Sequence, residues 1–270
     1  MNRITKALAK SKAAQVRQPP RTPHLTLAEP RSVPEIDGSE GATKIVQSSK
    51  AILKRMRVVA AAPDANEADL YRILRTRVLQ KLKQNDHRSL AIVSPSPGAG
   101  KTLTAVNLAT SIAMDLNHTV LLADLDLRRP RVHAYFGLRP KHGISDYLAG
   151  NSDLASCLIN PGIDRLVLLP GRGTSRTSSE MLTSPRMTKL AKQVRGRYPD
   201  RIIVYDLPPL LASDDAISFL PQVDACLMVV REGVSTKGEL ERSLALLSDT
   251  NLLGSVLNDS KERSMNSYYA

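Results

Sequence analysis

A nine-residue segment at 94–102, with the sequence SPSPGAGKT, has the composition of a loop that binds phosphate. It follows the apolar run LAIV and opens a stretch of helical character at 102–109. In that context the backbone N–H groups of a glycine-rich turn and of a helix N-terminus point at one anion. Lys101 is expected to reach the β- and γ-phosphates of a nucleotide, and the Thr102 hydroxyl to bind magnesium. The expected nucleotide contacts here are Pro97, Gly98, Ala99, Gly100, Lys101, Thr102 and Leu103.

The loop departs from two known patterns. The pattern G-x-x-x-x-G-K-[ST] would place a glycine at position 95, where this chain has Pro95. The K-G-G-x-G-K-[ST] loop of partition-type ATPases would place a lysine at 96 and a glycine at 97, where the chain has Ser96 and Pro97. The sequence thus keeps the nucleotide-binding end of the loop without the extra lysine of the partition class.

Three aspartates stand at or just past the ends of two other apolar runs. The run TVLLAD ends in Asp124, with Asp126 two residues later, and the run RIIVYD ends in Asp206. Carboxylates are hard oxygen ligands that suit a nucleotide-bound magnesium ion. A single aspartate in such a place can equally cap a helix or shape a loop. Two such strand ends beside a phosphate loop favour a metal site formed by Thr102, Asp124 and Asp206.

These side chains can converge only if strands and helices alternate along the chain. Nearly continuous apolar runs, typical of parallel strands covered on both faces, occur at 89–94, 119–124, 165–169, 201–206, 225–231 and 252–258. Helical patterns occur at 64–82, 102–115, 180–197, 213–220 and 236–249. The alternation predicts one doubly wound α/β domain with a mostly parallel sheet and helices on both faces. Ligand sites in such sheets lie at the carboxyl ends of the strands.

The positive charge is concentrated near the N-terminus. The chain has 270 residues and a formal net charge of +12, and residues 1–60 carry 12 Lys/Arg against 4 Asp/Glu. Five prolines and the lack of sustained apolar periodicity predict a disordered basic segment over 1–60. Two interpretations stay open for it: a solvated tail, or attraction to anionic lipid or an acidic partner. The two cysteines have no metal-site spacing, and no run is long enough to span a membrane, so a cytoplasmic location is expected.

The three motifs SPSPGAGKT, LLADLDLRRP and IIVYDLPPLLASDDA together resemble those of the bacterial tyrosine autokinases, or BY-kinases, of capsule and exopolysaccharide loci. The resemblance extends over about 64–270 and implies a P-loop fold, ATP and Mg²⁺ as cofactors, and γ-phosphoryl transfer to C-terminal tyrosines. It assigns Lys101 and Thr102 to Walker A, Asp124 and Asp126 to Walker A′, and Asp206 to Walker B. Asp124 is then the first candidate for the base that accepts the tyrosine proton, and Asp126 the second. One difference is Ala99, where the family commonly has an acidic residue.

The resemblance also suggests acceptor and oligomer residues. The chain ends in a polar segment, about 260–270, with Tyr268 and Tyr269 as expected phosphoacceptors, although they could also be incidental tail residues. The family's ring-forming motif, Glu-x-x-Arg-x-x-Arg, is matched by Asp69, Arg72 and Arg75, with aspartate replacing glutamate. Local pairing within a helix is the other interpretation of this spacing.

One further nucleotide contact is suggested by related P-loop ATPases, in which a late strand ends in an asparagine that recognises adenine. The run LLGSVLN ends in Asn258, whose amide can both donate and accept hydrogen bonds. A capping or turn role is equally ordinary for an asparagine.

These features lead to the prediction of a tyrosine autokinase that regulates polysaccharide polymerisation and export. The resemblance implies a ring-shaped homo-oligomer and a membrane polysaccharide co-polymerase on a separate chain as activator, through which the kinase would lie at the inner face of the plasma membrane. No specific nucleic-acid partner is expected. A partition or septum-positioning ATPase switch and a weakly catalytic, nucleotide-binding regulatory subunit remain alternatives.

Overall fold

An eight-stranded sheet organises the protein. The computed structural model describes residues 43–62 and 66–261. The strands are β1 (Lys44–Ile45), β2 (Ser89–Val93), β3 (Thr119–Asp124), β4 (Ile159–Asn160), β5 (Leu166–Leu169), β6 (Arg201–Asp206), β7 (Ala225–Arg231) and β8 (Leu252–Asn258). Their order is β1-β4-β5-β3-β6-β2-β7-β8, and in this sheet β4 and β5 pair antiparallel while the other neighbours are parallel. The predicted α/β class is confirmed.

Helices connect the strands and cover both faces of the sheet. They are α1 (Lys50–Arg55), α2 (Asn66–Gln84), α3 (Lys101–Ala113), α4 (Val132–Tyr135), α5 (Ile144–Leu148), α6 (Leu154–Cys157), α7 (Ser178–Thr183), α8 (Pro185–Arg197), α9 (Asp215–Phe219) and α10 (Lys237–Leu246). Short 3₁₀ helices lie at Val59–Ala61 and Leu220–Gln222. Among the described residues, no helix combines the length and the apolar character needed to cross a bilayer.

Alternate residues of each central strand enter different cores, as the period of two in a strand requires. On one face, β2 and β6 contribute Ala91 and Tyr205 to a core shared with α7, α8 and α9. On the other, the same strands contribute Ile92 and Val204 to a core shared with α2 and α3. Covering both faces is what makes these strands almost continuously apolar. It also leaves their carboxyl ends as the accessible edge for a ligand.

One predicted helix is two helices. The pattern at 180–197 was expected to be continuous, but α7 ends before Ser184 and α8 begins at Pro185. Ser184 is extended, with ψ of 150°, and its hydroxyl accepts a hydrogen bond from the Met187 N–H. A proline disfavours helical geometry in the residue before it and is well suited to the first position of a helix. The side-chain periodicity continues across this break, and so periodicity alone missed it.

The predicted disordered segment over 1–60 is wrong for residues 43–60. Residues 44–45 add β1 to the sheet beside β4. Leu53 of α1 and Met56, which follows that helix, pack against the core that contains α3. The buried Asn107 side chain of α3 accepts a hydrogen bond from the Ala60 N–H and donates one to the Arg57 carbonyl. These contacts are long-range, and the composition of the segment alone therefore could not reveal them. The part of the prediction that concerns residues 1–42 lies outside the described residues.

Candidate active site

Strand pairing brings the two strand-end aspartates together. In the parallel register of β3 and β6, Asp124 lies opposite Asp206, and Asp206 also lies opposite Ile92 of β2. The phosphate loop begins two residues after Ile92, at the same edge of the sheet. Both aspartates are almost completely buried. The sheet thus places two carboxylates beside the start of the phosphate loop.

Lys101 and Thr102 complete this cluster from the first turn of α3. The Lys101 amine lies 2.5 Å from one oxygen of Asp206, and the Thr102 hydroxyl donates to the other oxygen at 2.7 Å. The Lys101 side chain is only 6% exposed, and its charge is therefore balanced inside the protein by Asp206. The loop, β3 and β6 converge here as the sequence suggested.

The two aspartates differ in what balances their charge. One oxygen of Asp124 accepts the N–H groups of Arg131 and Val132, each at 2.9 Å. The other oxygen, Oδ1, is buried and has no hydrogen-bond partner among the described residues. Burial, followed by the neighbouring Asp206, raises the pKa of Asp124 to about 8. Burial also raises the pKa of Asp206, against the lowering effect of Lys101.

An unpartnered, buried carboxylate oxygen is costly unless a ligand completes it. Asp124, Asp206 and the Thr102 hydroxyl are hard oxygen donors, and Mg²⁺ in nucleotide sites takes few protein ligands, with phosphate and water filling the rest. These residues therefore fit a magnesium–nucleotide complex. The unpartnered Oδ1 atom of Asp124 is the observation that supports this fit.

Hydrogen bonds from other segments hold the outward-facing groups of the phosphate loop in place. The carbonyls of Ser94 and Pro95 accept hydrogen bonds from the N–H groups of Leu210 and Leu211, which follow β6. The Ser96 hydroxyl donates to the Glu239 carboxylate in the first turn of α10, which helps to lower the pKa of Glu239.

Two more loop carbonyls are held from the ends of β7 and β8. The Arg231 guanidinium donates to the Gly98 carbonyl at 3.3 Å, and the Asn258 amide donates to the Ala99 carbonyl at 2.9 Å. Gly98 and Gly100 have φ values of +83° and +89°, in the left-handed region that favours glycine. Carbonyls fixed on the outside of a tight turn leave its N–H groups free to face an anion.

A cavity of about 640 Å³ opens over this loop. Its lining includes Pro97, Gly98, Ala99, Gly100, Lys101 and Thr102, together with Asp126. The buried Asp124 and Asp206 and the half-buried Leu103 are not among the lining residues. Arg128, Arg129, Arg131 and Tyr135 also line it. The run RRPR after Asp126 is a sequence signal for these arginines, whereas nothing in the sequence pointed to Tyr135.

The model of the CobQ/CobB/MinD/ParA nucleotide-binding domain family matches residues 90–268, which is more than half of the chain. The match begins in β2 and includes the phosphate loop and all three aspartates. The chain belongs to this family. Its site is accordingly that of a P-loop nucleotide-binding domain.

Within this family, the protein is similar to bacterial tyrosine kinases. It is 30% identical over 217 residues to the tyrosine-protein kinase wzc of Salmonella typhimurium, covering 80% of this chain and 30% of wzc. It is 28% identical over 211 residues to the tyrosine-protein kinase YwqD of Bacillus subtilis, covering 77% of this chain and 88% of YwqD. The chain thus spans under a third of the length of wzc and most of that of YwqD. The resemblance seen in the motifs is confirmed.

Solved structures agree with this relationship. The kinase domain of the Escherichia coli tyrosine kinase ETK superposes with a TM-score of 0.70 at 28% identity, covering 83% of this chain and 91% of that domain. The septum site-determining protein MinD of Pyrococcus horikoshii, solved with Mg-ADP, gives a TM-score of 0.55 at 22% identity. That match covers 66% of this chain and 72% of MinD, and it shows a shared fold.

The predicted adenine contact, the predicted oligomer residues and the predicted phosphoacceptors lie in different parts of the chain. Asn258 contacts the outside of the phosphate loop and is not among the residues that line the cavity. In α2, Asp69 forms an ion pair with Arg72 one turn away, while Arg75 donates to the Ser111 carbonyl of α3 at 2.9 Å. The expected acceptors Tyr268 and Tyr269 lie outside the described residues.

Proposed function

We propose that this chain is a tyrosine autokinase domain that transfers the γ-phosphoryl group of ATP to Tyr268 and Tyr269. The observation that carries the proposal is the cluster at the ends of β3 and β6, where Asp124 leaves one buried oxygen unpartnered beside the Lys101–Asp206 pair. The similarity to the ETK kinase domain over 83% of the chain supports the choice of kinase over an ATPase switch.

The chain's own residues would bind and orient the reactants. N–H groups of the loop over 98–102 would hold the phosphates, and Lys101 would turn from Asp206 toward the β- and γ-phosphates. Asp124, Asp206 and Thr102 would hold the cation. Mg-ATP, when bound, supplies the transferable phosphoryl group and the cation that balances its charge. Catalysis of this kind depends on positioning and charge neutralisation more than on covalent chemistry by the protein.

We assign the proton acceptor to Asp126 in preference to Asp124. Asp126 is half-buried and lines the cavity, so an incoming phenol could reach it. Asp124 is completely buried, and one of its oxygens already accepts two backbone N–H groups. A general base must lie within hydrogen-bond reach of the proton that it removes. This assignment reverses the order that the motif resemblance suggested.

We further propose that the kinase acts with a membrane polysaccharide co-polymerase, which would bring it to the inner face of the plasma membrane. The resemblance of the three motifs to those of kinases of capsule and exopolysaccharide loci and the basic residues of the N-terminal quarter support this partner and location. The proposed role is control of exopolysaccharide or capsule polymerisation and export.

Labelling with [γ-³²P]ATP and Mg²⁺ tests the proposed activity. The full chain is incubated alone and with the cytoplasmic tail of a co-polymerase, and tyrosine labelling is measured. We expect labelling of the wild type and its loss in the Tyr268→Phe/Tyr269→Phe variant. Tyr147→Phe is the matched control, since it removes one phenol hydroxyl from a partly buried side chain that packs against the core.

Two results would overturn the proposal. Release of inorganic phosphate without protein labelling would favour an ATPase switch of the MinD type. Nucleotide binding with neither labelling nor phosphate release, even with the activator present, would favour a regulatory subunit. Lys101→Met is expected to abolish labelling in every case, which identifies any contaminating kinase.

A further inference from the structure

A second cavity, of about 480 Å³, lies beside the nucleotide cavity. Residues 128–131, which follow Asp126, form one part of it, and His133, Gly173 and Thr174 form the rest. Arg128, Arg129 and Arg131 line both cavities. We call this second space the arginine cavity. A group bound in it would lie next to the site of phosphoryl transfer.

The arginine cavity contains uncompensated positive charge. The Arg128 guanidinium is held by two bonds, at 3.0 and 3.1 Å, to the buried carboxylate of Asp215. Arg129 and Arg131 are exposed, and neither side chain has an acidic partner within residues 43–62 and 66–261. Their two charges remain free for an anionic ligand.

A second observation is the fixed orientation of Arg128. Its Nε–H lies 2.9 Å from the Ser178 hydroxyl and 3.0 Å from the Asp215 carboxylate, and these contacts fix the direction of its guanidinium. One guanidinium of fixed direction and two without an acidic partner form a donor set for a compact, highly charged anion. Guanidinium groups match the geometry of phosphate oxygens particularly well.

The sequence indicates where such an anion would come from. Tyr268 and Tyr269 are adjacent, and consecutive Cα atoms are about 3.8 Å apart. Successive side chains of an extended segment point in different directions, so a phosphate on the neighbour of a tyrosine in the transfer site would lie roughly 10 Å from that site. The arginine cavity adjoins the nucleotide cavity through the three arginines that line both, and it is therefore the neighbouring space that such a phosphate would enter.

We propose that the arginine cavity binds the phosphate of a tyrosine that is already phosphorylated, and so presents the adjacent tyrosine of the same tail for a second transfer. The inference rests on the proposed kinase function and adds a recognition site for its first product. In the second transfer the phenol oxygen forms the new bond to the γ-phosphorus, and the phenol proton passes to Asp126. The bond from that phosphorus to the β,γ-bridging oxygen breaks, and ADP leaves with the electron pair.

Binding of labelled peptides to the full chain tests this inference without catalysis. The probes are fluorescent pentapeptides of sequence Asn-Ser-Tyr-Tyr-Ala, either unmodified or phosphorylated on one tyrosine, and anisotropy is measured with saturating Mg-ADP. We expect the phosphopeptide to bind at least about tenfold more tightly, because its phosphate makes two charge-assisted contacts that the unmodified peptide lacks. Equal affinities of the two peptides would overturn the inference.

Substitution at Thr174 tests the location. Thr174 lines the arginine cavity and is not among the residues that line the nucleotide cavity. Thr174→Glu places a carboxylate beside the arginines, and Thr174→Gln is its neutral match in size. We expect Thr174→Glu to weaken phosphopeptide binding about tenfold relative to Thr174→Gln. Equal affinities in the two variants would place the phosphate elsewhere and overturn the assignment.

Additional experiments distinguish the remaining possible results. Should Thr174→Glu fail to fold, Arg129→Gln is compared with Arg242→Gln on α10, and only the first is expected to lose affinity. Loss of phosphopeptide binding when Mg-ADP is added to the nucleotide-free protein, or equal competition by inorganic phosphate, would mean that no separate phosphotyrosine site exists. Labelling of unmodified tails without preference for the phosphopeptide would overturn this inference alone. Phosphopeptide binding without any labelling would overturn the proposed kinase function.

Discussion

The two aspartates at the centre of the site differ in how their charge is balanced in the protein without its ligands. Asp206 is paired with Lys101 and Thr102, which offset part of the cost of burying its charge. Asp124 has backbone N–H partners on one oxygen and none on the other. Perturbed, incompletely satisfied carboxylates of this kind are typical of functional sites. Asp124 is thus a position where ligand binding is favoured at the expense of stability.

Asp124→Asn is expected to stabilise the metal-free protein at alkaline pH. The folded-state pKa of about 8 exceeds the ordinary value of about 3.9, so stability is lost as pH rises between these values. Asparagine keeps an oxygen for the backbone N–H groups and removes the charge. At pH 9 in EDTA we expect a gain of at least about 1.4 kcal/mol, equivalent to one pKa unit. Urea denaturation at pH 5 and pH 9 measures it.

The same variant separates stability from function. The gain should shrink toward pH 5, where the wild-type carboxyl is protonated, and stabilisation by Mg-ATP should be lost. A variant that is less stable than the wild type at pH 9 would contradict the pKa argument. Asp153→Asn is a suitable control because Asp153 is an exposed helix-capping residue away from the site.

At the scale of elements, the phosphate loop depends on segments far along the chain. The strand before the loop, β2, and the helix after it, α3, are adjacent to it in sequence. Both are predicted by their apolar patterns. The outward side of the loop is held by Glu239, Arg231 and Asn258, which lie more than 130 residues away. The residue type at Ser96 excluded the partition-type lysine, but only the fold shows that its hydroxyl reaches α10. Local patterns predict the loop, whereas long-range pairing positions it.

Ser96→Ala is expected to loosen the phosphate loop. It removes the bond to Glu239, while Ser96→Thr keeps a hydroxyl at the same position and is the matched control. Because the bond lies at the surface of the fold, we expect little change in the stability of the protein. We expect an increase in KM for ATP of roughly three- to tenfold with alanine, because the loop is less well positioned for the phosphates. A labelling assay over a range of ATP concentrations measures it, and equal KM values in both variants would contradict the role given to Glu239.

At the scale of the whole molecule, α2 is the element with features of a contact between copies. Leu70 and Ile73 are 48% and 49% exposed, and they lie one turn apart beside the Asp69–Arg72 pair. Arg75 is directed to α3 through the Ser111 carbonyl. The intrahelical pair agrees with the local interpretation of the motif, while the exposed apolar side chains support an additional role between subunits. We therefore keep the homo-oligomer as a proposal.

Arg72→Ala is expected to shift the protein from oligomer toward monomer. Arg77 is an exposed arginine on the same helix, so Arg77→Ala is the matched control for loss of charge. Light scattering after size-exclusion chromatography at several protein concentrations measures the mass. We expect at least about a tenfold increase in the dissociation constant, the equivalent of about 1.4 kcal/mol. The same mass distribution in both variants would mean that Asp69, Arg72 and Arg75 serve only the helix and its packing.

The α/β class, the six main strands, the phosphate loop and the aspartates at the strand ends could all be predicted from the amino-acid sequence. These features depend on residue type and short-range spacing, which a chain carries without its fold. The prediction missed the break at Pro185 and misjudged residues 43–60, because side-chain periodicity and composition do not record a backbone break or a distant partner.

How the charges of the site are balanced could be seen only in the folded protein. The fold paired Asp206 with Lys101, left one oxygen of Asp124 without a partner, and placed the arginine cavity beside the nucleotide cavity. Burial and charge balance depend on which segments are neighbours across the sheet, and strand order and register determine those neighbours. For that reason the chemistry of the phosphate loop can be predicted from nine residues, whereas the protonation and accessibility of its partners cannot.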